Sequence, residues 1–282
     1  MFGRHNLLTA ALLATTALRG ATAAHSPGCG KDPTITSGTY TTEINGEQRE
    51  YIVQLPKNYN KDKPHMLIFT FHALGGTATQ IANGEEGAFP FYGLPSLAKD
   101  NAIFVSPDGI DNAWANDEGE DVEFVDDMMA TIEEDLCVDE DLRFATGFSF
   151  GASMSYALAC ARPEHIRAVA VLSGGRLSGC EDGNKPVAFY IQHGTEDATL
   201  PIKGGIGLRD DFVEKNGCKP LKTEPEPGKG GASTKVEYEG CKDGYPVTWV
   251  VFDGVHEATK VDPGACKPFA PKNTWEFFSQ FL

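Results

Sequence analysis

A chain of 282 residues, 41% hydrophobic and 23% charged, has the length of one sizeable α/β domain, or at most two small ones, and the composition of a soluble globular protein, which excludes a disordered chain. Its formal net charge of −16 argues against nucleic acid and against an anionic membrane surface as partners.

The first 24 residues read as a secretory signal peptide. Arg4 gives a positive start, Leu7 to Leu18 is apolar or small, and Ala21-Thr22-Ala23-Ala24 offers small residues for cleavage. The apolar run is too short to span a bilayer and is followed by Arg19, which disfavours a membrane anchor. Residues 25–282 are therefore expected to form a secreted, extracellular domain. Export makes the cysteines readable: Cys29, Cys137, Cys160, Cys180, Cys218, Cys241 and Cys266 all follow the leader, and three disulfides with one leftover thiol are expected. Their spacing matches no Cys-x-x-Cys pattern, so no metal site is expected.

Asn45-Gly46, between Tyr40–Ile44 and Tyr51–Leu55, predicts a hairpin, because the pair supplies the positive φ angles of a tight turn. Met66 to Phe71 is a continuous apolar run, as expected of a strand buried on both faces, and Ala102 to Val105 is a second. Residues 121 to 136 carry Val122, Val125, Met129, Ile132 and Leu136 at helical spacing, with Asp121 as a candidate cap. Leu142 to Thr146 predicts a strand that runs into Gly147-Phe148-Ser149-Phe150-Gly151 and then a helix through Ala161. Strands follow at Ile166–Leu172, Val187–Gln192 and Val247–Phe252, and a helix at Asn273–Leu282. Lys219 to Lys235, rich in Pro, Gly, Lys and Glu, reads as a surface loop. Strands alternating with helices imply a mainly parallel sheet covered on both faces, with antiparallel strands at one edge.

Gly-x-Ser-x-Gly between a strand pattern and a helix pattern predicts a nucleophile elbow, in which a sharp turn projects Ser149 from the strand tip. Such a serine needs a base, and the base an orienting acid, in the chain order Ser, Asp/Glu, His. His165 falls at the sheet end opposite the elbow, and His193 reads as a structural residue in the turn that opens the segment 193–197. His256 follows the last strand, where the base belongs, and Asp197 lies after the Val187–Gln192 strand, where the acid belongs; adjacent Glu196 is the alternative acid, and Asp253 reads as a strand terminator. The backbone N–H of Phe150 and that of Leu74, in His72-Ala73-Leu74-Gly75-Gly76, are the candidate oxyanion donors. Trp114 is either a stacking platform for a substrate ring or sugar, or a core residue; Phe89, Phe91 and Tyr92 are weaker pocket candidates. The set needs no cofactor.

The segments 121–124, 147–154, 169–174, 193–197 and Trp249 to His256 together resemble fungal feruloyl esterases, a single-domain group similar also to polyhydroxybutyrate depolymerases and acetyl xylan esterases. The resemblance covers about Cys29 to Leu282. It implies an α/β-hydrolase fold and hydrolysis of hydroxycinnamoyl esters on plant cell-wall polysaccharides such as arabinoxylan, with Ser149 as nucleophile, Asp197 as acid and His256 as base. Two positions depart from the group: Ser153 stands where Ala or Gly is expected, and Glu257-Ala258 follows the base where Thr-Pro is expected. An acetyl xylan esterase or polyester depolymerase with the same triad is the first alternative, and a non-catalytic carbohydrate-binding protein the second. For the disulfides, eleven residues of helix place Cys160 about 16 Å from Ser149. That argues against Cys160–Cys180 and leaves Cys137–Cys160 open.

Overall fold

The computed structural model describes residues 25–85, 89–180 and 183–282; the leader expected over residues 1–24 lies outside the described residues. Among the described residues nine strands form one sheet: β1 (Gly38–Ile44), β2 (Glu47–Gln54), β3 (His65–Phe71), β4 (Ala102–Pro107), β5 (Val138–Phe148), β6 (Ala168–Leu172), β7 (Ala188–Gly194), β8 (Thr234–Glu237) and β9 (Val247–Phe252). Their order is β1-β2-β4-β3-β5-β6-β7-β9-β8. The six central strands, β4 through β9 in that order, pair in parallel; β1, β2 and β8 pair antiparallel at the two edges. The β1–β2 hairpin turns at Asn45 and Gly46, both with positive φ, in agreement with the sequence pattern.

The residues of β3 are buried throughout, and they divide by alternation. Leu67, Phe69 and Phe71 join a core shared with α3 (Glu120–Asp135), α4 (Phe150–Ala161) and α5 (Ile202–Lys215). Met66 and Ile68 join the opposite core, with α1 (Ala78–Asn83), α2 (Pro95–Ala98) and α6 (Phe269–Ser279). Helices therefore cover both faces of a mainly parallel sheet: the α/β-hydrolase architecture expected. Gly151 to Cys160 of α4 are all buried, and Ser153 and Ser155 satisfy their hydroxyls by donating to the Ser149 and Gly151 carbonyls, at 3.2 and 3.0 Å.

Several expectations need correction. Asp121 does not cap α3. The helix begins at Glu120, and the Asn116 carboxamide oxygen accepts from the amides of Asp121 and Val122, each at 3.1 Å. The Asp121 carboxylate instead accepts from buried Arg49 at 2.7 Å, and Arg49 also donates to the Asp108 carbonyl at 3.1 Å. Residues 219–235 are not all loop, since Thr234 and Lys235 open the edge strand β8. The last helix starts at Phe269, four residues earlier than expected; Pro271 is tolerated because the amides of a first helical turn have no intrahelical partner.

Three disulfides form, Cys29–Cys137, Cys160–Cys180 and Cys218–Cys241, and Cys266 is free and exposed. The number agrees with expectation; the pairing does not. The described residues between β6 and β7 contain no helix, and Cys180 meets Cys160 at the last turn of α4. Cys137 is taken by Cys29, because the segment at 25–29 lies along the start of β5, with the Ser26 amide donating to the Val138 carbonyl at 2.9 Å.

Candidate active site

The C-terminal ends of β3, β5, β7 and β9 carry every site residue expected from the sequence except Trp114, which lies in the loop after β4. Ser149 occupies the turn between β5 and α4 with φ 57° and ψ −117°, a conformation costly for a side-chain-bearing residue and held by its surroundings. Its amide donates to the Leu172 carbonyl at 3.0 Å. The flanking glycines are required by contact: a Cβ on Gly151 would stand 2.1 Å from the Phe71 carbonyl oxygen, and one on Gly147 would stand 2.4 Å from the Gly151 carbonyl. Ser153 adds a tie in which the Gly175 amide donates to its hydroxyl at 3.2 Å, linking the elbow to the chain after β6.

His256 Nε2 lies 2.8 Å from Ser149 Oγ, and His256 Nδ1 lies 2.7 Å from Asp197 Oδ2. The fold thus brings together three side chains that are up to 107 residues apart in the chain. Asp197 is 5% exposed, and its Oδ1 accepts from the amides of Thr199 and Leu200 at 3.0 and 2.8 Å, so the carboxylate is fixed from the side away from the imidazole. Glu196 is exposed and its amide donates to the Gly254 carbonyl at 2.9 Å, so the carboxylate that meets His256 is that of Asp197. Asp253 and His165 are exposed and take no part. The His256 ring also packs on Phe148, with centroids 4.7 Å apart.

The loop after β3 is shaped by His72. Its Nδ1 donates to the Ala73 carbonyl at 2.7 Å and its Nε2 accepts from the Gly109 amide at 3.0 Å, which fixes the neutral tautomer. The Gly75 amide reaches the Asn112 carbonyl at 2.8 Å. The Leu74 amide has no hydrogen-bond partner among the described residues, and the Phe150 amide, first in α4, has none within its helix. Both are free to bind a developing oxyanion.

Trp114 is not a substrate platform. It is fully buried, its Nε1–H donates to the His72 carbonyl at 2.8 Å, and its ring packs edge-on against Phe71 and at a tilt against the His72 ring. It buttresses the loop after β3 from beneath. Trp114→Phe keeps an aromatic ring and leaves a buried carbonyl unpaired, so stability should fall by about 1–3 kcal/mol with KM for ester substrates unchanged. Urea unfolding and steady-state kinetics check this; a raised KM with full stability would return Trp114 to the substrate site.

Beside His256 opens a cleft of about 310 Å³. Leu74, Ile81, Tyr92, Phe148 and Ala258 give it apolar walls; Gln80, Glu85, Glu257 and Thr259 give it polar ones. Of the three weaker candidates only Tyr92 lines it, with its hydroxyl donating to the Phe71 carbonyl at 2.6 Å; Phe91 is buried and Phe89 lies elsewhere on the surface. Gln80 is a cleft residue that the sequence pattern did not single out. Its signal is Thr77-x-x-Gln80, a capping-box spacing that the structure realises, and it marks a helix start at the cleft.

His65, His72 and His193 are buried and held neutral, because burial pushes each pKa below the ordinary histidine value of 6.5. In the unfolded chain they take up protons near that value. Stability should therefore fall as pH drops below about 6.5 toward the folded pKa values, at up to about 1.4 kcal/mol per histidine per pH unit. Melting temperatures from pH 7.5 to 5 check this; a flat profile would contradict it.

No protein-family model matches the chain. It is 51% identical to feruloyl esterase D of Neurospora crassa over the whole of both chains, and 47% identical to feruloyl esterase C of Emericella nidulans over 96% of this chain and 97% of that one. Among solved structures, an acetyl xylan esterase from Aspergillus awamori matches 86% of this chain and 99% of its own with a TM-score of 0.63 at 16% identity. A ferulic acid esterase from Anaeromyces mucronatus in complex with ferulic acid matches 86% and 89% with a TM-score of 0.57 at 14% identity. At those identities the two structures establish the fold.

Proposed function

The chain belongs to the fungal feruloyl esterases, carboxylic ester hydrolases, and from that premise we propose that Ser149, Asp197 and His256 hydrolyse feruloyl esters by two-step acyl transfer. The observation that carries the role of these residues is the continuous line of hydrogen bonds from Asp197 through His256 to Ser149, at 2.7 and 2.8 Å, ending beside an aromatic-walled cleft. His256 Nε2 takes the Ser149 proton as Oγ attacks the ester carbonyl. The amides of Leu74 and Phe150 hold the oxyanion, each such donor being worth about 3–4 kcal/mol. His256 then gives its proton to the departing alcohol, and in the second step it activates the water that releases the acid. Asp197 keeps Nδ1 protonated and balances the imidazolium.

The planar hydroxycinnamoyl group suits the cleft: Ile81, Tyr92 and Phe148 offer apolar walls, and Gln80, Glu85 and Thr259 offer partners for a phenolic hydroxyl. An acetyl group would leave most of that volume empty. Glu257 lies on the rim, with Oε1 3.7 Å from Lys260 Nζ, so the departure from Thr-Pro changes the charge at the mouth and not the triad. Comparing kcat/KM on methyl ferulate, methyl p-coumarate and acetylated xylan tests the acyl preference; faster release of acetate than of ferulate would make the chain an acetyl esterase on the same triad.

The natural substrate in this reading is a feruloylated plant polysaccharide, and the site of action is extracellular. Six cysteines paired in three disulfides support an oxidising destination, as does the apolar leader pattern at 1–24. N-terminal sequencing of protein secreted into the medium should begin just after Ala23 or Ala24.

A further inference from the structure

The mechanism leaves one buried, titratable group beside the acid unused. His193, the penultimate residue of β7, is fully buried. Its Nε2 lies 2.7 Å from the Leu200 carbonyl oxygen and 3.2 Å from Asp197 Oδ2. Both neighbours are acceptors, so Nε2 carries a proton that it shares between them. Nδ1 is buried without a partner, and a Cβ on Gly205 of α5 would stand 2.3 Å from it. The helix therefore packs its backbone against the ring and leaves no room for another orientation. Burial holds the imidazole neutral.

We propose that His193 is a positioning residue for the hydrolysis, acting through Asp197 to aim His256 at Ser149. The inference rests on the reading of Asp197 as the acid. One carboxylate oxygen faces two imidazoles: His193 Nε2–H on one side and His256 Nδ1–H, at 2.7 Å, on the other. Oδ1 is already held by the Thr199 and Leu200 amides. The His193 proton fixes the remaining rotation of the carboxylate and, through the Leu200 carbonyl, ties down the loop that supplies those amides. Without it, Oδ2 is free to turn off the His256 axis, and its negative charge is no longer shared with a second donor. The charged groups near His256 are then Asp197 and, on the adjacent residue, Glu257 with its partner Lys260. The Leu200 contact agrees with the structural bond that the sequence position of His193 implies; the contact with Asp197 Oδ2 is the part no sequence pattern reveals.

The test pairs His193→Phe, which keeps a ring and removes the donor, with His193→Gln, whose side-chain N–H reaches the Nε2 position. On methyl ferulate, His193→Phe should lower kcat about 10- to 100-fold, the scale of a displaced catalytic group, with KM within about 2-fold. The acid limb of its kcat/KM profile should move to higher pH, because an Asp197 with one donor fewer holds the His256 proton more tightly. His193→Gln should restore most of kcat and return the limb. A folded His193→Phe with wild-type kcat and an unmoved acid limb would overturn the inference. So would equal losses in both variants with no movement of the limb, the pattern of a residue that only fills space. If His193→Phe does not fold, His193→Asn, whose donor is too short to reach, takes its place against His193→Gln. Asp197→Ala run in parallel separates the two readings: activity surviving that change would sink the triad itself, whereas its loss with His193→Phe unaffected would sink only the role of His193.

Discussion

Replacing Ser149 with alanine will lower kcat on methyl ferulate by about 10⁴- to 10⁶-fold, the cost of removing the serine of a catalytic triad, while leaving the fold intact. The hydroxyl makes one hydrogen bond, to His256; the bonds that build the elbow come from the backbone. Alanine keeps the Cβ and the 57° φ that the turn already imposes on a side-chain-bearing residue. The free amides of Leu74 and Phe150 and the cleft remain, which is why residual rate above uncatalysed hydrolysis is expected. Steady-state kinetics with a melting curve read both halves of the expectation. A variant that retains more than about a hundredth of wild-type kcat would exclude Ser149 as nucleophile, because loss of an attacking group cannot be made up by its neighbours.

Asp197→Asn will cost about 10⁴-fold in kcat through the tautomer of its neighbour, a magnitude seen for this change in a serine protease. The Thr199 and Leu200 amides donate to Oδ1 and need an acceptor there. The asparagine oxygen must therefore occupy that position, which turns its NH₂ toward His256 Nδ1, 2.7 Å away in the wild type. Nδ1 becomes an acceptor, the ring proton moves to Nε2, and the nitrogen that should receive the Ser149 proton is already protonated. Packing is nearly unchanged, but the NH₂ also meets the buried His193 Nε2–H that Oδ2 accepts in the wild type, so the expected signature is a collapsed kcat with a stability loss of about 1–3 kcal/mol. A loss below tenfold would mean that the carboxylate does not set the tautomer.

The part of the site legible in the sequence is the part written in local pattern. The elbow has a strand before it and a helix after it, and Asp197 and His256, the proposed acid and base, follow the ends of buried apolar strands in the order that the fold demands. The six parallel strands are legible because a short apolar run bounded by turn residues is the mark of a strand buried on both faces. What the sequence hides depends on long-range packing. Helix α5 contains Gly204, Gly205 and Gly207, which weaken a helical pattern, yet Gly205 is needed where the backbone meets the His193 ring. Strand β8 presents little apolar surface because it lies at an edge of the sheet, and its residues alternate between half-buried and exposed. Trp114 occupies a loop position compatible with either a platform or a core role, and its burial, its packing on Phe71 and His72 and its bond to the His72 carbonyl place it beneath the loop after β3. The Cys160–Cys180 pairing contradicts expectation because the crossover after β6 does not stay at the end of the sheet where its strand finishes.

Rapid-quench mass spectrometry of the protein mixed with 4-nitrophenyl ferulate tests the central claim most directly. The account predicts a protein heavier by one feruloyl group, with the added mass confined to the peptide containing Ser149 and abolished in Ser149→Ala. A feruloyl group carried on any other residue, or full hydrolysis by protein whose Ser149 has been stoichiometrically phosphonylated, would contradict it.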